Sequence, residues 1–532
     1  MNLSKNNNLI SYVLIVFFSI FLSIAYSIEQ RAVDDGLILS NIIKYPEHHN
    51  IMQIFSNNAW TFLFQFTGTL LKLDFSIMSI SRIILFLSTF FYSMGIYLVS
   101  KSITSSSIIS LLICFVVITF QKSFGSIDYP TMIFSEHTNG MMSLAIVTFI
   151  FGLVSNKNLF LATFFSVFLI CIHLTVGVWI VSILIFSLFV SKFIIKNNFE
   201  FKKFIYASSL AFFFVIISFI FYYLNLVELN NPFDREAYLV YMQIWEGHRN
   251  NFGTTELNYK YIILSLVLIF LTLGSSKYLD IKKNSSNYLM LLMVSLSTFI
   301  SMLIYLAFKF LPFLFPDILV RIMPTRFFLM QSVIGIPIII SLVYLCIRQI
   351  LINKKMNINY AFFITFFILF SFSINHFEKV LIIKNHFLLH VSKNIKKHEN
   401  RDFWIKVKNH HLNGYILTSY ETCRQTLRRT LKPVLLCAES IDNIPYIPKS
   451  VNYVKEIIEE VFDVPFYDPP IKYAGGLIGS VIKKNYERKM TKDWKRISAS
   501  FKVTALIVPK DWKIALEPTF RGKDYIYYSI TE

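Results

Sequence analysis

Glu29 to His49 reads EQRAVDDGLILSNIIKYPEHH, and it follows without a break on an apolar run, Leu9 to Ile28. At 1.5 Å per residue such a run is long enough to cross a bilayer core of roughly 30 Å. The adjacent carboxylates Asp34 and Asp35, with Gly36 behind them, therefore stand just beyond a membrane surface. A carboxylate pair at the mouth of a helix bundle can act as base or as metal ligand toward a substrate arriving from the lipid. The same residues can equally cap a juxtamembrane helix, since Asp favours helix starts. Neighbours on a helix point in different directions, so at most one of the two serves chemistry directly.

The rest of the composition agrees that lipid is a main solvent. Of 532 residues 55% are hydrophobic, 55 of them Phe, and the mean hydropathy is +0.55; this is a polytopic membrane protein and not a soluble enzyme. The formal net charge of +19 is what cytoplasmic loops and anionic headgroups select for. No recognition motif accompanies it, so nucleic acid is excluded as a partner and membrane lipids are the expected one. Cys114, Cys171 and Cys346 fall in apolar runs; only Cys423 and Cys437 share a polar region, where a disulfide forms if that region lies outside the cell. No Cys/His spacing suggests zinc. The first apolar run exceeds the h-region of a secretory signal and is expected to be a retained helix.

Ten further spans are predicted: Met78 to Val99, Ile108 to Phe120, Gly140 to Leu153, Leu159 to Ile172, Leu174 to Val190, Phe204 to Leu226, Tyr259 to Leu273, Tyr288 to Phe308, Phe327 to Cys346 and Tyr360 to Ile374. Ala59 to Leu71 is short enough to lie in the interface instead. The unbroken stretch Leu159 to Val190 is too long for one span and is split by a tight turn at His173. Alternate connections carry Lys5, Lys101, Lys157, Lys202, Lys282 and Lys354 with their neighbours, and are cytoplasmic by the positive-inside rule. The other connections are longer and hold Asp34, Asp35, Glu136, Asp234, Glu246 and Arg249. With an odd number of spans, those loops and everything after Ile374 share the outer aqueous side.

From His376 the character changes. Lysines become frequent, β-prone runs appear at Tyr415 to Thr418, Val434 to Cys437, Val503 to Val508 and Tyr525 to Ile530, and a helix-like segment spans Val451 to Phe462. The expected organisation is a transmembrane domain, 1–375, with functional outer loops, and a soluble extracytoplasmic α/β domain, 376–532. The second carries 27 Lys/Arg against 17 Asp/Glu, suited to an anionic surface or a phosphate-bearing partner. It has no GxGxxG, P-loop, GxSxG or HExxH motif, and so no sign of a second catalytic unit.

An amino-terminal span, an outer loop opening on VDDG, about eleven transmembrane helices, an acidic second outer loop in SEHTNG and an extracytoplasmic carboxy-terminal domain together resemble the GT-C superfamily of membrane glycosyltransferases. The histidine turn IHLTVGVW is similar to that of bacterial relatives within it. The resemblance implies a GT-C-like bundle in the bacterial inner (plasma) membrane with its amino terminus cytoplasmic. It implies a lipid-linked sugar donor on a polyprenyl phosphate, and an acid of the first outer loop, Asp34 or Asp35, as base. Glu136, with His137, matches the acidic position of the second outer loop and is the place for a divalent metal (Mg or Mn), the one cofactor this reading admits. In the better-known branches the first-loop acid sits among other neighbours, which leaves the choice between Asp34 and Asp35 open.

Other residues fit the same chemistry. Arg321 and Arg326, in VRIMPTRFF at a helix start, are outer cations whose guanidinium forks suit a donor phosphate; snorkelling to headgroups is the competing use. Glu246, His248 and Arg249, set among aromatics in the loop Asn231 to Glu256, and His173 are candidates for an acceptor site, against the plainer readings of an interfacial segment and a structural histidine. Two other function classes remain. A non-catalytic scaffold or binding protein would retain the fold without the activity. A transporter or flippase would need ionisable residues along a mid-span pathway, and these spans are nearly free of them apart from Arg82. Composition says nothing of the oligomeric state.

Overall fold

The computed structural model describes residues 2–46, 50–120, 136, 138–193, 201–229, 232–246, 259–278, 286–311, 329–375, 400–410, 413–419, 422–471, 477 and 479–530. In chain order its helices are α1 (Asn2–Tyr26), α2 (Arg31–Leu39), α3 (Ile51–Asn58), α4 (Phe62–Lys72), α5 (Ile77–Thr104), α6 (Ser107–Phe120), α7 (Thr138–Ser155), α8 (Leu159–Ile172), α9 (Leu174–Phe193), α10 (Phe201–Asn225) and α11 (Arg235–Val240). There follow α12 (Tyr259–Tyr278), α13 (Ser286–Phe310), α14 (Leu329–Asn353), α15 (Asn359–Asn375), α16 (Arg401–His410), α17 (Cys423–Thr430), α18 (Val451–Glu456), α19 (Gly479–Arg488) and α20 (Thr491–Phe501). The strands are β1 (Tyr415–Thr418), β2 (Val503–Pro509), β3 (Phe520–Arg521) and β4 (Tyr525–Ser529).

Among the described residues seven helices are long and apolar enough to cross a membrane: α1, α5, α7, α9, α10, α13 and α14. Four shorter apolar helices, α6, α8, α15 and the Ser265–Gly274 part of α12, fall on the remaining predicted spans. The chain is an integral, polytopic α-helical membrane protein with a small sheet near its carboxy terminus.

Two compact units divide the chain. The first joins Met1–Gln30, Met78–Phe219 and Thr255–Leu388 and contains the long apolar helices. Its interior is set by α7, whose apolar window is 89% buried, whereas that of α10 is 22% buried and presents Phe212, Phe213 and Phe219 outward. Lipid is as apolar as Leu, so close helix contact depends on small residues. Gly95 on α5 meets the backbone of α7 so closely that a Cβ there would stand 2.5 Å from the Thr148 carbonyl. His173 ends α8 with its N–H on the Leu169 carbonyl at 2.9 Å and receives the Gly177 N–H on its own carbonyl at 2.8 Å, the tight turn expected between two helices. Arg82 donates through Nε to the Ser27 hydroxyl at 3.3 Å.

The second unit joins Arg31–Ile77, Ile220–Thr254 and Leu389–Glu532. Its sheet has the order β1-β2-β4-β3, with β1 parallel to β2 and the other pairs antiparallel. The apolar, β-branched run VTALIVP forms the central strand β2, and Ala505, Leu506 and Ile507 on it are fully buried. Aromatics from α19 and α20 fill one side, the Tyr486 and Trp494 rings meeting edge to face at 5.2 Å. The predicted run Val434 to Cys437 contributes a single bridge, Val434 to Ile416, and no strand; Pro433 just before it has no N–H to extend a ladder.

The loops of this unit are sewn to one another and to its carboxy-terminal part by polar contacts. Asn50 caps α3 through its Oδ1, accepting from the Met52 N–H at 3.0 Å, and donates its Nδ2 to the Leu435 carbonyl at 2.7 Å. Trp245 donates its indole N–H to the Phe466 carbonyl at 2.8 Å, with the two rings stacked 5.6 Å apart. Asn58 and Val227 exchange two hydrogen bonds of 2.9 Å.

Candidate active site

The site is built on α2. The helix is nine residues long and buries Ala32, Val33, Asp34, Gly36, Leu37 and Ile38; so short a helix owes its place to tertiary contacts. The contact with α4 fixes it. Thr67 donates its hydroxyl to the Ala32 carbonyl at 2.7 Å, and Gly36 lies so close that a Cβ there would collide with the Thr67 side chain and stand 2.9 Å from the Gly68 nitrogen. Only glycine lets the two helices approach to this distance.

Held at this register, α2 sends its two carboxylates to different neighbours. Asp34 is buried and takes the fork of Arg428, Nε to Oδ1 at 2.5 Å and Nη2 to Oδ2 at 2.7 Å. Arg424, one turn earlier on α17, brings Nη1 to 3.6 Å from Oδ2. Asp35 turns toward α3, where the Ser56 hydroxyl donates to its Oδ1 at 2.9 Å. It keeps some accessible surface, yet the protein around its carboxylate excludes most water. Burial first, then the charge of Asp34, pushes the Asp35 carboxyl up to about 7; the Ser56 hydroxyl and the guanidiniums of Arg424 and Arg31 pull the other way. Tyr45 completes the surroundings, its phenol pushed well above the usual tyrosine range by burial and then by Asp35 and Asp34.

A disulfide, Cys423 to Cys437, ties the start of α17 to the segment beside β1, making the pair that the sequence allowed. Arg424 and Arg428 are thus presented from a short, fastened helix. Sequence reading passed over them, as it did Ser56 and Tyr45. One signal was available: CRQTLRRT places three arginines in one turn-rich segment next to a pairable cysteine, in a region whose cations are otherwise mostly lysine, and Arg is the residue suited to forking a carboxylate.

The other predicted site residues are placed as follows. Glu136 is exposed, belongs to the first unit and leads into α7. His173 caps α8, also in the first unit. Glu246 belongs to the second unit and is completely buried, its Oε2 3.1 Å from the Tyr241 hydroxyl, which also donates to the Ile441 carbonyl at 2.9 Å; this is the setting of an anchor for the loop. His137, Arg321, Arg326, His248 and Arg249 lie outside the described residues. A divalent cation needs several oxygens. Both oxygens of Asp34 are taken by a guanidinium with a second one beside it, and no three His, Cys, Asp or Glu side chains come together among the described residues. The Asp34 side of the pair does not fit Mg or Mn.

Two solved structures are similar to this chain over nearly its whole length. One is the oligosaccharyltransferase of Archaeoglobus fulgidus in the apo form, at 10% identity over 94% of this chain and 69% of the other, with a TM-score of 0.44. The second is ArnT from Cupriavidus metallidurans bound to undecaprenyl phosphate, at 10% identity over 98% of each chain, with a TM-score of 0.39. No family model and no curated protein matches the chain. The likeness is one of layout.

Proposed function

We propose that the chain is a membrane glycosyltransferase that moves a sugar from a polyprenyl-phosphate donor to an extracytoplasmic acceptor hydroxyl, with Asp35 as the base. The observation that carries this reading is Asp35 itself: a partly accessible carboxyl on a short clamped helix, pushed up to about 7, next to a second carboxylate whose two oxygens are held by the Arg428 fork. A general base works best when its pKa lies near the working pH. The acceptor oxygen bonds to the anomeric carbon, the bond from that carbon to the phosphate oxygen breaks, and the hydroxyl proton passes to Asp35. The lipid phosphate leaves with the electron pair. Arg424 and Arg31, both near enough to act on the Asp35 charge, would stabilise the phosphate charge as it develops, with Arg321 and Arg326 as the sequence's further candidates for that role.

In this reading the second unit lies outside a bacterial inner membrane, as the lysine pattern requires, and the lipid donor reaches the site from the bilayer. Its test is transfer of labelled sugar from a panel of polyprenyl-phosphate donors by membranes holding matched amounts of wild type, Asp35→Asn and Asp34→Asn. Asp35→Asn should insert normally and transfer nothing measurable. Transfer that persists in Asp35→Asn removes it as base. Absence of transfer by the wild type over the whole panel would favour the alternative, a non-catalytic protein that retains the fold.

A further inference from the structure

Two carboxylates side by side on one helix ordinarily titrate as a pair, each proton belonging to both. Around α2 the neighbours break that symmetry. Among the described residues, the charged and titratable groups facing the pair are Arg31 on α2 itself, Arg424 and Arg428 on α17, and Tyr45 on the segment after α2. From α3 comes only the Ser56 hydroxyl, and α4 meets the helix at Gly36 through Thr67 and Gly68, without a charge. The two-point fork of Arg428, itself buried, and the flanking guanidinium of Arg424 both fall on Asp34.

We propose that Arg428, supported by Arg424, is a positioning residue for Asp35: by holding Asp34 as a paired anion it leaves Asp35 the one carboxyl of the two that takes up and releases a proton. The fork does this in two ways. It occupies both Asp34 oxygens and so damps, without removing, the Asp34 charge that Asp35 feels. It also draws the Asp34 side chain toward α17, which fixes the rotation of α2 and with it the direction of Asp35. Residues 394 positions apart in the chain thereby divide one acidic pair into an anchor and an acid. The inference rests on the reading of Asp35 as base, but it concerns protonation and is measurable without a sugar donor.

The probe is dicyclohexylcarbodiimide, an apolar reagent that modifies protonated carboxyls. It is applied to the full-length chain in lipid nanodiscs from about pH 5 to about pH 9, a window that brackets a carboxyl raised toward neutrality, and adducts are located by peptide mass spectrometry. In the wild type the adduct forms on Asp35 in a single step with its midpoint near neutrality, and Asp34 labels at least about tenfold less. In Arg428→Gln the label divides between Asp34 and Asp35 and the profile becomes two steps. Arg428→Lys, which keeps the charge and loses the fork, restores part of the Asp34 protection. Against an Asp34→Asn background, Arg428→Gln leaves the Asp35 profile unmoved, because the charge through which it acted is gone.

Equal labelling of Asp34 and Asp35 in the wild type, or an Arg428→Gln profile identical to the wild type, overturns the proposal. So does a change of the Asp35 profile that is as large with Asn at position 34 as with Asp, since Arg428 would then be acting through general loss of structure. Labelling as described with no transfer by the wild type defeats the catalytic reading and leaves the division of the pair standing; transfer with Asp34 labelling as fast as Asp35 does the reverse.

Discussion

Asp35 prefers its proton where it sits, and that preference weakens the fold whenever the pH ionises it. Its value of about 7 in the folded chain lies above the ordinary 3.8, so between those two values the native state binds more proton than the unfolded one. Stability contributed by this group is therefore complete below about pH 4 and is lost as the pH rises through about 7. A shift of about three units corresponds to at most about 4 kcal/mol, and less where residual water screens the carboxylate. Two consequences can be measured. The transfer rate of the wild type should climb with pH along a single limb whose midpoint is near 7; a rate that is flat across neutrality argues against Asp35 as the base. Asp35→Asn should raise the unfolding temperature at pH 8 and leave it nearly unchanged at pH 4, while abolishing transfer. Arg428 gives the opposite case. Arg428→Ala leaves a buried Asp34 carboxylate with its main partner gone, and removing one member of a buried pair costs about 3–5 kcal/mol. Thermal unfolding should show that loss, largely recovered in the Arg428→Ala/Asp34→Ala double variant.

At the scale of elements, the site is a short helix clamped from two sides. Gly36 sets one contact, and Gly36→Ala should push α2 off α4 because the Cβ has only the Thr67 side chain and the Gly68 backbone to enter; the check is loss of transfer together with a lowered unfolding temperature, whereas Leu39→Ala at the half-exposed end of the same helix should cost much less. The disulfide sets the other. Its loop of 14 residues predicts a loss of about 3 kcal/mol in a Cys423→Ser/Cys437→Ser variant, and with α17 loosened Asp34 should gain carbodiimide label. The sequence made α2 visible and its clamps only partly so. Adjacent acids after a membrane span announce themselves locally, and the eleven apolar runs are legible because lipid forces each span to satisfy its own backbone. The partner of Asp34 could not be found this way: Arg428 is an ordinary polar-helix residue until the fold brings it to the carboxylate. The arginines that did stand out, Arg321 and Arg326, were conspicuous for flanking a span. Val434 to Cys437 reads as a strand by its β-branched run, but Pro433 limits it to one bridge.

For the molecule as a whole, the proposed function depends on which aqueous side the second unit occupies, and the lysine pattern makes a prediction about that which is independent of the site. Lys202, in the first turn of α10, and Lys354, just after α14, belong to connections that the positive-inside rule assigns to the cytoplasm. Lys495 on α20 lies beyond α15, in the region that the predicted odd number of crossings would place outside. All three side chains are exposed. A chain in which Cys114, Cys171 and Cys346 are replaced by Ala keeps Cys423 and Cys437 locked in their disulfide, so a single new cysteine is the only thiol left for reagent. Lys495→Cys should react with a membrane-impermeant maleimide on intact cells. Lys202→Cys and Lys354→Cys should react only after the membrane is opened. The reverse pattern would put Asp35 on the side with the lysine-rich loops, where an extracytoplasmic acceptor cannot reach it, and the proposed transfer would fall with the topology even if the division of labour between Asp34 and Asp35 survived.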